Sequence, residues 1–219
     1  MGTELAVDWL GRVPYREALE LQEKAVEARR RGAAGDRLLL LEHPPVITLG
    51  RSADGGNVRT HPAALAARGV EVVSVARGGD VTWHGPGQLV GYLVLDLAAR
   101  GEPDVHRHLR GIEAALVDAV ATLGIRAGTL AGMTGVYVEP SQPPRKLASI
   151  GVGLRGWVTW HGFALNATNP PEDFADIVPC GLHQVEMTSV ARELGRDGTP
   201  ALFEAVREAV AASFRRRLS

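Results

Sequence analysis

The stretch "KLASIGVGLRGWVTWHGFALN", Lys146 to Asn166, decides the fold class. Two β-rich runs, "KLASIGVGL" and "WVTWHGFALN", flank Arg155 and Gly156, which predicts an antiparallel hairpin with that pair as its two-residue loop. With this loop Leu154 pairs with Trp157, Ser149 faces Gly162 and Gly151 faces Trp160. Side chains alternate along a strand, so Ser149, Gly151 and Gly153 share one face almost bare of side chains. Such a face either packs against other backbone or forms a trough for a slender ligand.

Outward from the hairpin, strands dominate the middle of the chain and helices frame it. "ELAVDWL" reads as a first strand, followed by an amphipathic helix that Pro14 opens and Gly32 stops. "RLLLLEH" and "PVITLG" are strands separated by Pro44 and Pro45. Thr60 is the expected cap of a short helix, "HPAALAAR", and "VEVVSVA" is a further β-rich run. "QLVGYLVLDL" continues as a strand, and residues 104–123 form a long helix capped by Asp104 and ended by Gly124. "GVYVEP" and a Pro-rich turn at 140–144 precede the hairpin. After it, "PEDF" is a short helix, Thr188 is the expected cap of "SVARELG", and a last helix runs from about Pro200 to Arg217. Helices do not alternate strictly with strands. The pattern therefore predicts an α+β fold, one domain over residues 1–219, with mixed or antiparallel sheets flanked by helices.

Composition narrows the function. The 219 residues carry a net charge of −1, so no global basic field exists to hold nucleic acid. "RRR" at Arg29–Arg31 and at Arg215–Arg217 each closes a predicted helix, where cations complement the helix dipole. No apolar run approaches the roughly 18 residues of a membrane span, and "MGTELAVDWL" lacks a signal-peptide pattern, so a cytoplasmic protein is expected. The single cysteine, Cys180, forbids an intrachain disulfide and fits a reducing compartment. Only two of the 24 basic residues are lysines, Lys24 and Lys146. In a chain that writes Arg almost everywhere, a retained Lys marks a place where guanidinium cannot substitute, since Lys gives up its proton near neutral pH when desolvated and Arg does not. Lys24 lies on an ordinary polar helix face.

Cys180, in "IVPCGLHQ", reads either as a small buried hydrophobe or as a nucleophile. Its place between Pro179 and Gly181 is a turn, where backbone N–H groups can face a reacting carbonyl. Lys146 reads either as a strand-edge surface lysine or as a base beside Cys180. His106 and His108 lie two apart on a predicted helix and point to different faces, and no Cys/His cluster has zinc spacing. A Cys-His hydrolase pairing Cys180 with His84 or His161 stays open. His43, followed by two prolines, is a binding residue or a polar stop between strands. The five glycines of "RGGDVTWHGPGQLVGY", Arg77 to Tyr92, indicate a tight ligand-facing loop, but the segment is neither a Walker loop nor G-x-G-x-x-G.

Taken together, "HPPVITLGR", "RGGDVTWHGPGQLVGY", "KLASIGV", "WHGFALN" and "PCG" followed by "MTSV" resemble the bacterial lipoyl(octanoyl)transferases, in family order from about residue 43 to 190. The resemblance implies the fold of lipoate- and biotin-protein ligases. It also implies transfer of octanoyl from octanoyl-acyl carrier protein to a lysine of lipoyl domains, those of 2-oxoacid dehydrogenase E2 subunits and of the glycine cleavage H protein. It implies Cys180 and Lys146 as the catalytic dyad, passing through a Cys thioester. An acyl-binding cavity is expected to be lined by Arg77, Gly78, Gly79, Asp80, Val81, Thr82, Trp83 and His84, with Ser149, Ile150, Gly151, Gly162, Phe163 and Ala164 as its other walls. No cofactor or metal is expected, no nucleic-acid or membrane partner, and a monomer. ATP-dependent lipoate–protein ligation on the same fold, octanoyl transfer between lipoyl domains, and a non-catalytic acyl- or protein-binding module are the alternatives. Two departures stand out, Trp83 where the family commonly has Tyr, and the "SQPPR" insert before Lys146, which is expected to reshape the cavity rim.

Overall fold

The protein is described as a computed structural model covering residues 5–53, 55–181 and 184–218. The Cys180 side chain lies outside the described part, although its backbone is within it. In chain order the elements are β1 (Ala6–Arg12), α1 (Tyr15–Arg30), β2 (Arg37–Glu42), β3 (Val46–Leu49), α2 (Pro62–Ala67), β4 (Glu71–Ser74), β5 (Val81–His84), β6 (Gln88–Val94), α3 (Val105–Ala121), β7 (Ala127–Leu130) and β8 (Met133–Val138). They continue with β9 (Arg145–Arg155), β10 (Val158–Asn166), β11 (Glu186–Met187), α4 (Val190–Glu193) and α5 (Pro200–Leu218). Two 3-10 turns, Pro171–Phe174 and Pro179–Gly181, fall between β10 and β11.

A large sheet runs in the order β1-β2-β6-β10-β9-β8-β7, with β11 added in parallel to β9. The pair β1–β2 is parallel, and the rest of that path is antiparallel. A smaller sheet, β4-β3-β5, has one parallel and one antiparallel pair. The mixed α+β architecture is the one expected from the sequence.

The large sheet is covered on both faces, which is why β2 and β6 read as unbroken apolar runs rather than alternating ones. Leu38 and Leu40 of β2 and Leu89 and Leu93 of β6 pack under α3 and α5, against Ile112, Leu116, Val206 and Phe214. Phe163 of β10 stacks on Phe214 with ring centroids 5.1 Å apart. On the opposite face Leu39, Leu41, Val90 and Tyr92 meet α1 through Ala18 and Leu21. The small sheet builds its own cluster from Ile47, Val81, Trp83, Phe174, Ile177 and Met187. Each fully buried Leu or Phe contributes roughly 2 kcal/mol, so the double-sided core supplies most of the driving force.

Four local expectations are corrected. The β9–β10 loop is Gly156-Trp157, not Arg155-Gly156, because both loop residues must take positive φ and these have +54° and +62°. Arg155 consequently pairs with Val158, Ser149 with Ala164 and Gly151 with Gly162. The shift is even, so the shared face of Ser149 and Gly151 survives, but the Trp160 ring lies directly against Gly153 and closes that end. The cap of α2 is His61, which accepts from Ala63 N at 3.2 Å, while the Thr60 hydroxyl donates to Asp176 at 2.6 Å. The cap of α4 is Ser189, because the Thr188 hydroxyl is already committed to Glu193 at 2.5 Å. Strand β7 was not anticipated; its half-exposed run carries too little apolar alternation to be read locally.

Candidate active site

The two sheets converge on a cavity of about 480 Å³, counting its open mouth. Arg77, Gly79, Asp80, Thr82 and His84 line one side, and Ser149, Ile150, Gly151, Gly162, Phe163 and Ala164 line the other. Of the expected lining residues Gly78, Val81 and Trp83 are absent from the wall. In β5 the alternation that aims Thr82 and His84 inward sends Val81 and Trp83 into the small-sheet core, where Trp83 meets Phe174 with centroids 5.4 Å apart. Gly78 is spent holding the wall together, since its N–H donates to Val152 O at 2.9 Å. No residue of the Pro-rich turn at 140–144 lines the cavity.

Two glycines make the walls meet. A Cβ at Gly151 would lie 2.8 Å from Gly78 O, and one at Gly162 would lie 2.3 Å from Gly91 O. Any larger residue would push the Arg77 segment away from β9 or β10 away from β6. Arg77 itself is buried, its guanidinium donating to Thr48 O at 2.9 Å, Thr48 Oγ1 at 2.8 Å and Gly78 O at 3.1 Å.

Tyr15, Val90, Tyr92 and His161 complete the lining; sequence reasoning had no signal for Tyr15, weighed His161 only as a partner of Cys180, and held Val90 and Tyr92 only within the glycine-rich stretch. Tyr15 reaches the cavity from the first turn of α1, a position that no local motif marks. Behind the wall sits an imidazole-phenol cluster. His43 Nδ1 donates to Val13 O at 2.7 Å, which leaves Nε2 to accept from the Tyr92 hydroxyl, also at 2.7 Å. Burial, partly offset by the Val13 carbonyl, pulls the His43 pKa down to about 4, so the ring is neutral and that tautomer is fixed. Burial pushes Tyr15 up to about 12 and Tyr92 well above the usual phenol range, against the lowering influence of Arg77. His84 is held well below the ordinary imidazole range by burial and by His43 and Arg77.

One hydrogen-bond chain joins four of the quoted motifs. His84 Nδ1 donates to Gln88 Oε1 at 2.8 Å, and Gln88 Nε2 donates to Asn166 Oδ1 at 3.0 Å. Asn166 Nδ2 donates to Thr188 O at 2.8 Å, and Thr188 N donates to Lys146 O at 3.0 Å. Gln88, Asn166 and Thr188 are nearly fully buried, so each bond is shielded from water. Lys146 is 2% exposed, its Nζ 5.5 Å from the Tyr137 ring centroid. The Cys180 segment reaches the same region by its backbone. Val178 N donates to Asn57 O at 2.8 Å, Asn57 bonds the Asp80 carboxylate, and a Cβ at Gly181 would stand 3.2 Å from Asp80 Oδ2. Met187, the register partner of Lys146, packs with Ile177 from the same segment. Among the described residues no three His, Cys, Asp or Glu side chains cluster as metal ligands.

The arrangement of a large mixed sheet and a small one is that of the lipoate–protein ligase fold, and Lys146, although buried, is not among the residues that line the cleft but stands three residues before its wall residue Ser149 on β9. A bipartite lipoate protein ligase from Thermoplasma acidophilum superposes with a TM-score of 0.73 at 15% identity, over 99% of this chain and 84% of its own. Residues 14–215 match the family described as lipoyl protein ligase A/B catalytic domain. An octanoyltransferase of Geobacter sulfurreducens is 51% identical over 94% of this chain and 81% of its own length. An octanoyltransferase of Acidobacterium capsulatum is 48% identical over 84% and 78%. The chain belongs to the lipoyl protein ligase A/B catalytic family, within its octanoyltransferases, and is an acyltransferase.

Proposed function

We propose that the protein transfers octanoyl from octanoyl-acyl carrier protein to a lysine of lipoyl domains, through a thioester on Cys180 with Lys146 as the base. The observation that carries this reading is a cleft walled by Ser149–Gly151 of the strand that bears the buried Lys146, with the Pro179–Gly181 turn against its Asp80 wall. The relatives named octanoyltransferase, at about half identity, favour transfer over ATP-dependent ligation.

In the first half-reaction Lys146 Nζ takes the Cys180 thiol proton and the thiolate attacks the thioester carbonyl carbon. The new Sγ–C bond forms, the oxyanion collapses, and the C–S bond to the carrier breaks, the carrier thiol leaving with the proton. In the second, the amine of the lipoyl-domain lysine attacks the same carbon, the C–N bond forms, the Sγ–C bond breaks, and Lys146 handles the proton the amine sheds. Backbone N–H groups near Cys180 and Gly151 are the candidate donors for the oxyanion. Exchange of one thioester for another is nearly neutral and amide formation is downhill, so the cycle requires no ATP. Lipoyl domains of 2-oxoacid dehydrogenase E2 subunits and the glycine cleavage H protein are the acceptors, and the enzyme acts as a cytoplasmic monomer.

The test is intact-protein mass spectrometry after mixing with octanoyl-acyl carrier protein without ATP, followed by peptide mapping. The expected result is an octanoyl adduct on Cys180 that disappears when a lipoyl domain is added. Absence of the adduct, with acylation appearing only from free acid plus ATP, would overturn the reading in favour of the ligase.

A further inference from the structure

A second cavity lies on the opposite face of the large sheet from the active-site cavity. Along β6 the alternation that turns Val90 and Tyr92 toward the active site turns Leu93, and Leu95 just beyond the strand, the other way, under α3 and α5. This second cavity encloses about 720 Å³, counting its mouth, against about 480 Å³ for the first. Leu93, Leu95, Ile112 and Phe214 form its apolar body. Its charged lining is three cations, Arg100, Arg107 and Arg217, against one acid, Glu102.

Two residues on the cavity-facing side of α3 show that the space is kept rather than left by loose packing. Gly111 sits in the helix interior, where glycine is the poorest former short of proline. A Cβ there would meet nothing within 4 Å, so no close approach demands the glycine; it lines the cavity and leaves it open. His108, one turn earlier on the same side, also lines it. The residue is 9% exposed, and its Nε2, shielded from solvent, has no hydrogen-bond partner among the described residues. Buried polar nitrogens in native folds are almost always bonded, so this one calls for a partner from outside the fold. Burial and the charge of Arg100 pull the pKa of the ring down to about 4, which leaves it neutral with one N–H to donate.

We propose that this cavity is a second binding site, separate from the active site, for a medium-chain carboxylate. The alkyl chain lies among Leu93, Leu95, Ile112 and Phe214, and the carboxylate accepts from His108 Nε2–H and from the arginines. Arg100 already donates to Asp36 and to Leu218 O, Arg107 pairs with Glu102, and Arg217 donates to Asp118. Each guanidinium has five N–H donors, and these bonds use one or two of them, so donors remain for a further anion. From His108 to Ala115, the last lining residue on that side of α3, the helix advances about 10 Å, which suits a chain of medium length rather than a short acid.

Equilibrium dialysis of radiolabelled octanoate against the whole protein counts the sites. Gly111→Leu fills the cavity from a position with open space at Cβ, and is expected to bind one octanoate per chain fewer than wild type, with a melting temperature no lower. Equal stoichiometry in the two would overturn the proposal, whether or not the active site also holds the acid, because the variant leaves that site untouched. Should Gly111→Leu fail to fold, His108→Phe is expected to weaken the same site roughly tenfold or more, the worth of a hydrogen bond to a charged group; unchanged affinity would overturn the proposal. In wild type, 1-octanol, equally apolar but uncharged, is expected to compete for the site more weakly than octanoate by roughly tenfold or more. Equal competition would overturn the assignment of a carboxylate. No arm reads acyl transfer, so the result stands or falls independently of the transferase reading.

Discussion

Gly135 leaves the space that the Lys146 side chain occupies: a Cβ at Gly135 would stand 2.7 Å from Lys146 Cε and 3.3 Å from Nζ. The same Cβ would meet Ala148 O at 2.6 Å, and φ at Gly135 is +135°. The glycine N–H donates to the buried Glu113 carboxylate of α3 at 2.9 Å, which Arg110 pairs at 2.5 Å. The position of the lysine head therefore depends on a β8 residue without a side chain, pinned by a helix behind the sheet. Gly135→Ala is expected to lower octanoyl transfer by at least tenfold, since misplacing a catalytic group by about 1 Å is that costly. Kinetics on enzyme shown by circular dichroism to be folded will check it; undiminished kcat would refute the dependence.

Asn166 occupies the middle of the chain from His84 to Lys146. Asn166→Leu strands the Thr188 carbonyl and one N–H of the Gln88 amide, whose Nε2 keeps only Trp83 O, in a dry interior, at about 1–3 kcal/mol for each group left unpaired. Urea unfolding is expected to show that loss, and kcat is expected to fall more than for a surface change of equal stability cost.

If Lys146 acts as the base, Lys146→Arg abolishes transfer, because guanidinium stays protonated. Cys180→Ser and Cys180→Ala are expected to lose both the acyl adduct and turnover. Near-normal turnover by either cysteine variant, measured as lipoyl-domain acylation, would exclude the dyad.

The buried imidazoles make stability depend on pH. Burial holds folded His43 and His108 near pKa 4, whereas an unfolded histidine titrates near 6.5. As pH falls, the unfolded chain takes up these protons first. The stabilisation is therefore complete above about pH 6.5 and is lost progressively down to about pH 4, where the folded protein protonates too. Each group contributes roughly 3 kcal/mol across that window. Urea titrations at pH 7 and pH 4.5 are expected to show the fall, and His108→Gln, remote from the active-site cavity, to make it shallower.

Gly162→Ala places a methyl 2.3 Å from Gly91 O, backbone against backbone, where no rotamer relieves the clash. Overpacking of this kind costs about 2 kcal/mol or more, a fall in Tm of roughly 4–8 °C for a domain of this size. Thermal melts will measure it, and an unchanged Tm would mean the β6–β10 spacing is looser than found.

The amino-acid order alone determined the helices and most strands, though not β5, β7 or β11, together with the mixed α+β class, the bare face at Ser149 and Gly151, and the lysine and cysteine candidates. These depend on short-range properties: alternation, turn residues, helix ends and the rarity of Lys among so many Arg. The hairpin loop slipped by one residue because Arg-Gly and Gly-Trp are both plausible turns locally, and only the register of β9 against β10 selects between them. Tyr15, Tyr92 and His161 were invisible as cavity residues, since each enters from a different element and only the packing of α1 and the small sheet over the large one brings them together. The Gln88–Asn166–Thr188 chain is likewise a product of tertiary structure. Its members are 78 and 22 residues apart in sequence, and a hydrogen bond over such separations leaves no local pattern to read.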